Sequence, residues 1–474
     1  MKNIAKNFFY QSLFQITKII IPIVTIPIVS NALGPSGIGI YNYTFSVTQC
    51  FVLFAGLGVT IYGNREITLV YNRKKEELSK VFWEILTFKV LVTGLVLLVY
   101  FILAFFLKNK LYLFIQSLGI FAVLFDVSWF FMGIEDFKKT SISNLVVQLF
   151  TFFLIILFIK NEGDTLKYTL IQGLGLVFSQ ISVWLFIPKY IRFTKINIKN
   201  SSKHLKEAFE YFIPQIAITL YTNLNKTLLG FTLGSTAVGF FTNSLQLNTV
   251  FVTIITTLDL VLLPHMTRFF AKENIEKIIS MMEKTIHLQL FFSIPIMFGI
   301  LTVYDKLVPW FFGEKFLYVN QVIPYFTILI VVIPLGMAIS RQYLMPIGHI
   351  KEYNRSVIVG AIINIGANFI LLPTVGFFGV VFSYILAECL VTFVRTKSFL
   401  QQTDFKFDFR KICIYVCASL TMCLVTRFLT NQLTSNMLTN IIQVLIAAPI
   451  YLAITTIART NPLIDFIVRK KKNG

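Results

Sequence analysis

Long apolar segments alternate with short polar ones along the whole chain. A helix needs about 20 apolar residues to cross about 30 Å of hydrocarbon, and fourteen segments are of about that length. The pattern predicts an all-α integral membrane protein with about fourteen transmembrane helices, numbered here as spans 1 to 14: 7–33, 40–63, 81–107, 111–133, 142–160, 165–188, 208–234, 238–264, 284–304, 318–345, 355–373, 376–396, 411–430 and 437–458.

Polar residues recur at helical spacing within spans 1, 2, 7 and 8. Positions three and four apart share one face of a helix, and a polar face in hydrocarbon must turn toward protein or water. Such side chains can simply bond neighbouring helices, but four matched rows favour a hydrated central cavity. Its candidate binding residues are Gln11, Gln15, Lys18, Thr25, Asn42, Gln49, Gln215, Thr222, Lys226, Gln246 and Thr249.

Composition agrees with a membrane protein and removes one class of function. Charged residues make up only 14% of the 474 residues, whereas a soluble domain carries about 25%. A net charge of +20 would suggest nucleic acid for a soluble protein, but here the basic residues occupy short loops between apolar spans. We therefore expect anionic membrane lipids, and no nucleic acid, as their partners.

The basic residues are also divided unevenly between the two sides of the membrane. Counted from a cytoplasmic N-terminus, with residues near a span end counted in the adjoining loop, the even-numbered loops and both tails hold 32 of the 42 Lys and Arg residues, and the odd-numbered loops hold 7. Cytoplasmic loops carry an excess of Lys and Arg. The count predicts that both termini are cytoplasmic.

Three lysines lie inside apolar spans, where charge is costly and rarely accidental. Lys18 lies near the middle of span 1 and Lys226 in the outer part of span 7. We expect both to face the cavity and attract an anion, with snorkelling to the outer surface as the alternative for Lys226. For Lys89, in the inner part of span 3, we expect snorkelling toward the inner surface.

Five other charged residues are candidates for gating or coupling. Asp126, Asp259 and Glu388 lie in the inner halves of spans 4, 8 and 12, and Arg65 and Glu66 follow span 2. These carboxylates could pair with Lys or Arg at a cytoplasmic gate, carry a coupling proton or bind a cation, and structural pairing is the default. We predict neither a metal site nor a cofactor.

Two short sequence segments each recur about 200 residues later in the chain, which indicates an internal repeat. Residues 33–39 match residues 233–239, and residues 175–181 match residues 379–385. The repeat predicts two pseudo-symmetric six-helix lobes of the same orientation, at 1–200 and 201–400, with any substrate path between them. Residues 401–474 would add a helix pair and a basic cytoplasmic tail.

Three segments carry a resemblance to a known family. Asn31–Tyr43, Gly58–Ile67 and Asp126–Glu135 resemble the first loop, the end of span 2 and the fourth span of Wzx-type polysaccharide flippases. That family belongs to the multidrug/oligosaccharidyl-lipid/polysaccharide exporter superfamily. The likeness extends over the whole chain, including its span count and topology.

The resemblance implies both an architecture and a substrate. It implies two six-helix lobes in a V, with a final helix pair that borders a groove for the lipid tail in related lipid flippases. It implies a bacterial inner-membrane protein that moves undecaprenyl-diphosphate-linked oligosaccharide outward for capsule, exopolysaccharide or O-antigen assembly. Lys18 and Lys226 are the positions we would map to diphosphate binding, and a glycan polymerase and a chain-length protein are the implied partners.

Two other functions remain open from the sequence. A multidrug or small-solute antiporter of the same superfamily would need acidic residues deep in the first lobe, and span 1 carries Lys18 without a carboxylate. A glycan polymerase or acyltransferase would need catalytic groups on a sizeable outward loop, but the outward loops are short. No phosphate-binding G-x-x-x-x-G-K-[ST] motif occurs, and we predict a transporter that is not an enzyme.

Overall fold

A computed structural model of the chain describes residues 2–71, 73–194, 203–271 and 275–464. Short 3₁₀ segments lie at Glu162–Asp164, Ile187–Lys189 and Glu314–Gln321, and a π-helical turn spans Ser340–Leu344. The α-helices of this part are α1 (Lys2–Gly56), α2 (Val59–Val70), α3 (Lys75–Phe106), α4 (Lys110–Phe125), α5 (Ser128–Gly133), α6 (Phe137–Phe158), α7 (Thr165–Trp184), α8 (Lys203–Thr232), α9 (Ser235–Ala271), α10 (Ile275–Phe311), α11 (Ile323–Phe326), α12 (Leu329–Ile339), α13 (Ile350–Val375), α14 (Phe377–Gln402), α15 (Phe409–Thr430) and α16 (Met437–Ile457).

Most of these helices are both long enough and apolar enough to span a bilayer. Among the described residues, twelve helical segments meet the length and hydropathy of a membrane span. The first, Ile20–Val70, is 51 residues long and covers the end of span 1 and all of span 2. Helix α8 occupies the position of span 7. The predicted all-α membrane fold is confirmed, and the chain is a multi-pass membrane protein.

The chain divides into two compact units, Met1–Gly239 and Phe240–Gly474. In the first unit α8 packs against α1 and α2, and the core contains the Phe82 ring stacked on Trp129 with centroids 5.4 Å apart. In the second unit α10 packs against α15 and α16, and the buried Tyr451 hydroxyl donates to the Phe291 carbonyl at 2.7 Å. The lobe boundaries at 200 and 400 stay a prediction from the repeat.

The backbone bends at equivalent positions of the first repeated segment. Gly34 interrupts α1 with a φ of 64°, and Gly234, 200 residues later, precedes α9 with a φ of 87°. Positive φ values favour glycine, because it has no Cβ to clash with the backbone. The same kink therefore ends the first span of each repeat.

The two repeated segments also touch each other reciprocally. A Cβ on Gly39 would lie 1.7 Å from the Ser235 carbonyl oxygen, and one on Gly239 would lie 2.0 Å from the Pro35 carbonyl oxygen. Pro35 and Ser235 are themselves equivalent positions of the repeat. Reciprocal contacts of this kind are what a local two-fold axis produces, and only glycine allows so close an approach.

Candidate functional site

A polar cavity lies among the membrane-spanning helices of the first unit. Its volume is about 260 Å³, and α1, α2, α4 and α8 supply its walls. Two helix interruptions shape it: α1 ends at Gly56 before α2 begins, and α4 ends one residue before Asp126. The lining residues are Gln49, Val52, Leu53, Gly56, Thr60, Val123, Asp126, Gln215 and Thr219.

Three residues predicted from the sequence thus meet in one place. Gln49 and Gln215 belong to the predicted polar rows of spans 2 and 7, and Asp126 is the gate candidate of span 4. Each of them lines this cavity. Two amides, two hydroxyls and a carboxylate form its polar wall, so the cavity can donate and accept hydrogen bonds within hydrocarbon-spanning helices.

The carboxylate of this cavity is held in a buried ion pair. The Lys89 ammonium, 1% exposed, lies 3.2 Å from Asp126 Oδ2 and donates to the Asp126 carbonyl at 2.6 Å. Asp126 Oδ1 accepts from the Ser128 backbone N–H at 2.9 Å. The prediction that Lys89 snorkels to the inner surface is wrong, because the Asp126 carboxylate and the Asp126 carbonyl at the end of α4 satisfy its charge inside the protein.

Helix α8 is fixed against α1 by small and polar residues. The hydroxyls of Ser46 and Thr227 are 3.0 Å apart, and a Cβ on Gly230 would fall 2.0 Å from the Tyr43 ring. Lys226 directly precedes Thr227 and is half-buried. None of the ion pairs between described residues includes Lys226.

Four other members of the predicted rows bond to their own helices. The side chains of Thr25, Asn42, Thr222 and Thr249 donate to carbonyls three or four residues earlier, at 2.7 to 3.2 Å. This is the usual way a polar side chain is satisfied inside an apolar helix. Gln246 is half-buried on α9. The side chains of Gln11, Gln15 and Lys18 lie outside the described residues.

The remaining gate candidates form local contacts. Arg65 donates to Glu66 at 2.8 Å on the surface of α2. On α14, Glu388 is buried and hydrogen-bonded to Tyr384. Arg395, at the end of predicted span 12, is buried in α14 and donates to Ser356 Oγ at 3.0 Å, so buried acceptors satisfy the guanidinium inside the span.

Asp259 belongs to a second cluster of buried polar side chains, which lies in the second unit. It is 0% exposed, and its Oδ1 accepts from the side-chain amides of Gln289 and Gln342, each at 2.6 Å. Gln342 lies in the π-helical turn, a distortion that often marks functional sites. The nearby Arg341 donates to the Thr256 carbonyl at 3.4 Å. Asp259 is thus held by amides rather than by a cation at ion-pair distance within the described residues.

Sequence reasoning missed several of these partners. Thr60 belongs to no polar row, and Lys89 and Asp126 are 37 positions apart. Gln289 is the single side-chain amide of apolar span 9, and Gln342 is one of three in span 10. A search for amides and charges within apolar spans would have marked these two amides, Lys89 and Asp126 as candidates for each other, but not which pairs meet.

Comparison with known proteins agrees with the membrane fold. Residues 4–270 match the family described as "Polysaccharide biosynthesis protein". The chain is 23% identical to the "Putative O-antigen transporter" of Escherichia coli (strain K12), over 84% of this chain and 98% of that one. It is 24% identical to the protein of the same name from Shigella dysenteriae, over 73% and 87% of the two chains.

Solved structures show a matching fold at low sequence identity. The inward closed conformation of the lipid II flippase MurJ superposes with a TM-score of 0.75 at 17% identity, covering 95% of this chain and 98% of that one. An inward-facing multidrug resistance MATE family transporter of the MOP superfamily gives a TM-score of 0.64 at 16% identity, over 81% and 95%. Since the family match extends over more than half of its length, the chain belongs to the polysaccharide biosynthesis protein family.

Proposed function

We propose that this protein is a flippase that moves undecaprenyl-diphosphate-linked oligosaccharide repeat units from the cytoplasmic to the outer leaflet of a bacterial inner membrane. Membership of the polysaccharide biosynthesis family supports this, as do the two relatives whose names describe O-antigen transport. The fold shared with a lipid II flippase is compatible with a lipid-linked substrate. The product would serve capsule, exopolysaccharide or O-antigen assembly, with a polymerase and a chain-length protein as partners.

The observation that carries the proposal is the polar cavity of the first unit. A sugar hydroxyl or a phosphate taken into hydrocarbon without a hydrogen bond costs several kcal/mol. Gln49, Thr60, Gln215 and Thr219 offer such bonds between membrane-spanning helices. The head group would cross along groups of this kind while the polyprenyl tail stays in lipid.

Capture of the diphosphate is assigned to Lys18 and Lys226. Lys226 is half-buried on α8 and is not part of an ion pair between described residues, so its charge is available to an anion. Lys18 belongs to the predicted polar row of span 1. Alternating access of two pseudo-symmetric halves would then expose the bound head group to each side in turn.

Alanine replacement of the two lysines tests this role. Lys18→Ala and Lys226→Ala, singly and together, should lower surface glycan in a strain that depends on this protein, with the double variant most impaired. Lys226→Arg should retain export because it keeps the charge, and Lys108→Ala, at an exposed loop position, should be neutral. Normal export by all three alanine variants at normal membrane levels would rule out charge capture.

The rival transport function is tested in the same strains. A multidrug or small-solute antiporter predicts increased drug sensitivity on deletion, with glycan export unchanged. The proposed flippase predicts the reverse: loss of surface glycan and accumulation of lipid-linked repeat units on the cytoplasmic side.

A further inference from the structure

Two cavities of opposite character adjoin in the second unit. The larger, about 510 Å³, has an almost entirely apolar wall built from α9, α10, α15 and α16. The smaller, about 330 Å³, is polar and lies between α10, α15 and the start of α16. Thr302 and Gln443 line both, so the cavities share a boundary. Together they form one amphipathic cavity with an apolar body and a charged end.

The boundary between the two cavities is a satisfied hydrogen-bond network. Gln443 donates to Thr430 Oγ1 at 3.0 Å, and Asn440 donates to Gln443 Oε1 at 2.7 Å. The Trp310 indole N–H in turn donates to Asn440 Oδ1 at 2.7 Å. Because these groups bond one another, they need no water from the apolar cavity. They mark the level in the membrane at which the apolar cavity ends and the polar cavity begins.

The polar end carries two cations and one carboxylate. Arg427 Nη2 lies 3.6 Å from Asp305 Oδ1, and Lys306 Nζ donates to the Asn431 carbonyl at 3.2 Å. The net charge of this group is therefore +1. Helix α15 ends at Thr430 and α16 begins at Met437, so the charges lie at the end of two spans, the depth at which lipid head groups lie.

Both cavities reach the lipid-facing surface of α15 and α16. Phe428, in the wall of the polar cavity, is 85% exposed, and Val444, in the wall of the apolar cavity, is 56% exposed. Large apolar side chains exposed on a membrane-spanning helix face lipid. A lipid can therefore enter sideways, with its head group and chain in register with the two cavities.

We propose that this amphipathic cavity binds one monoanionic glycerophospholipid, with its phosphate at Lys306 and Arg427 and an acyl chain in the apolar cavity. A phosphodiester carries one negative charge and so matches the net charge of the site. A diphosphate carries more and would add unbalanced negative charge beside Asp305. The bound lipid fills the space between α10 and the α15–α16 pair, and thereby fixes that pair to the second unit.

The head-group half of the site is tested by native mass spectrometry of the purified full chain in detergent. Dioleoyl-phosphatidylglycerol should bind about tenfold more tightly than dioleoyl-phosphatidylethanolamine, which has the same chains and no net charge. The Lys306→Gln/Arg427→Gln variant should lose this preference. Lys315→Gln, a basic position outside both cavities, should keep it.

The acyl half is tested by filling the apolar cavity without touching the charges. Gly299 lines this cavity, and a Cβ there meets no atom within 4 Å, so Gly299→Leu should fold and weaken binding of both lipids about tenfold. Gly366→Leu is the matched control: a Cβ on this α13 glycine also meets no atom within 4 Å, but the position lies outside the cavity.

Three results would overturn the proposal. Equal binding of the two phospholipids to the parent protein would contradict a phosphate site at Lys306 and Arg427. Unchanged binding in Gly299→Leu would contradict an acyl-chain site in the apolar cavity. Tighter binding of undecaprenyl phosphate than of phosphatidylglycerol, lost in Gly299→Leu, would assign the cavity to a substrate tail instead. Glycan export measured in the same variants reports separately on the proposed flippase function.

Discussion

The carboxyl end of α4 gathers three side-chain donors from three elements. Trp184 Nε1 donates to the Phe125 carbonyl at 2.7 Å, and both Trp129 Nε1 and Lys89 Nζ donate to the Asp126 carbonyl. Unpaired carbonyls at a helix end carry partial negative charge and must find donors inside a membrane. One wall of the polar cavity is therefore held rigidly, and Asp126 faces the cavity with its charge already balanced.

Breaking the Lys89–Asp126 pair on one side should destabilise the first unit. Lys89→Met leaves a carboxylate in the protein without its cation, and removing one partner of a buried pair costs about 3–5 kcal/mol. The double variant Lys89→Met/Asp126→Asn removes both charges, and its new amide oxygen can still accept from the Ser128 N–H, so we expect it to recover part of the loss. Thermal unfolding in detergent measures both variants, and additive effects would contradict a coupled pair.

Two replacements of Asp259 by residues of similar size should have different effects on the free energy of unfolding. Asp259→Asn keeps an oxygen that accepts from Gln289 and Gln342 and removes a buried charge, so the free energy of unfolding should stay constant or rise. Asp259→Leu leaves two buried amide groups without their acceptor, which costs about 1–3 kcal/mol each. Chemical unfolding of the two purified variants gives the order, and equal stability of both would show that the amide contacts contribute nothing.

At the residue scale, the sequence marks charged positions but not their partners. The cost of charge in hydrocarbon singles out Lys89, Asp126 and Asp259 from one sequence. Helix packing decides which of them pair, and Lys89 and Asp126 are 37 positions apart. An amide within an apolar span, such as Gln342, likewise gives no sign of its partner. Sequence alone therefore favours snorkelling for Lys89, although its partner lies on the next span.

At the element scale, the repeated kink is the feature that local sequence determines most clearly. Gly34 and Gly234 each end the first span of a repeat with a positive φ. Hydrophobicity predicts spans 1 and 2 as separate helices, whereas α1 runs through span 1 and most of span 2, to Gly56, with only this kink between the two spans. The kink needs one glycine rather than a polar loop, so hydropathy gives the number of spans but not their continuity.

Replacing Gly234 should separate backbone strain from packing. A Cβ on Gly234 meets no atom within 4 Å, so Gly234→Ala changes only the cost of its φ of 87°, about 1–2 kcal/mol. Gly94→Ala, in the middle of α3 with equally open surroundings, should instead stabilise the protein by about 0.5–1 kcal/mol through its lower chain entropy. Opposite shifts in melting temperature are expected, and a neutral Gly234→Ala would show that the kink is not under conformational constraint.

At the scale of the whole molecule, charge and hydropathy settle different questions. Periodic apolar segments predict the fold class because the bilayer leaves helices as the main way to satisfy the backbone. The repeat adds pseudo-symmetry, which the reciprocal contacts of Gly39 and Gly239 express locally. The amphipathic cavity beside α15 and α16 is not predictable from residue patterns, since Lys306 and Arg427 are 121 positions apart in the chain and meet only through helix packing.

The uneven distribution of basic residues makes one prediction about the entire chain, its orientation. With 32 of 42 Lys and Arg residues in the even-numbered loops and tails, both termini should be cytoplasmic, because translocation of Lys and Arg is resisted. Green fluorescent protein fused after Gly474 should then fluoresce, and alkaline phosphatase at the same point should be inactive. Phosphatase fused after Gly163, in the odd-numbered loop between α6 and α7, should be active. The opposite pattern at both points would invert the orientation, and with it the direction in which Lys18 and Lys226 are proposed to pass the diphosphate.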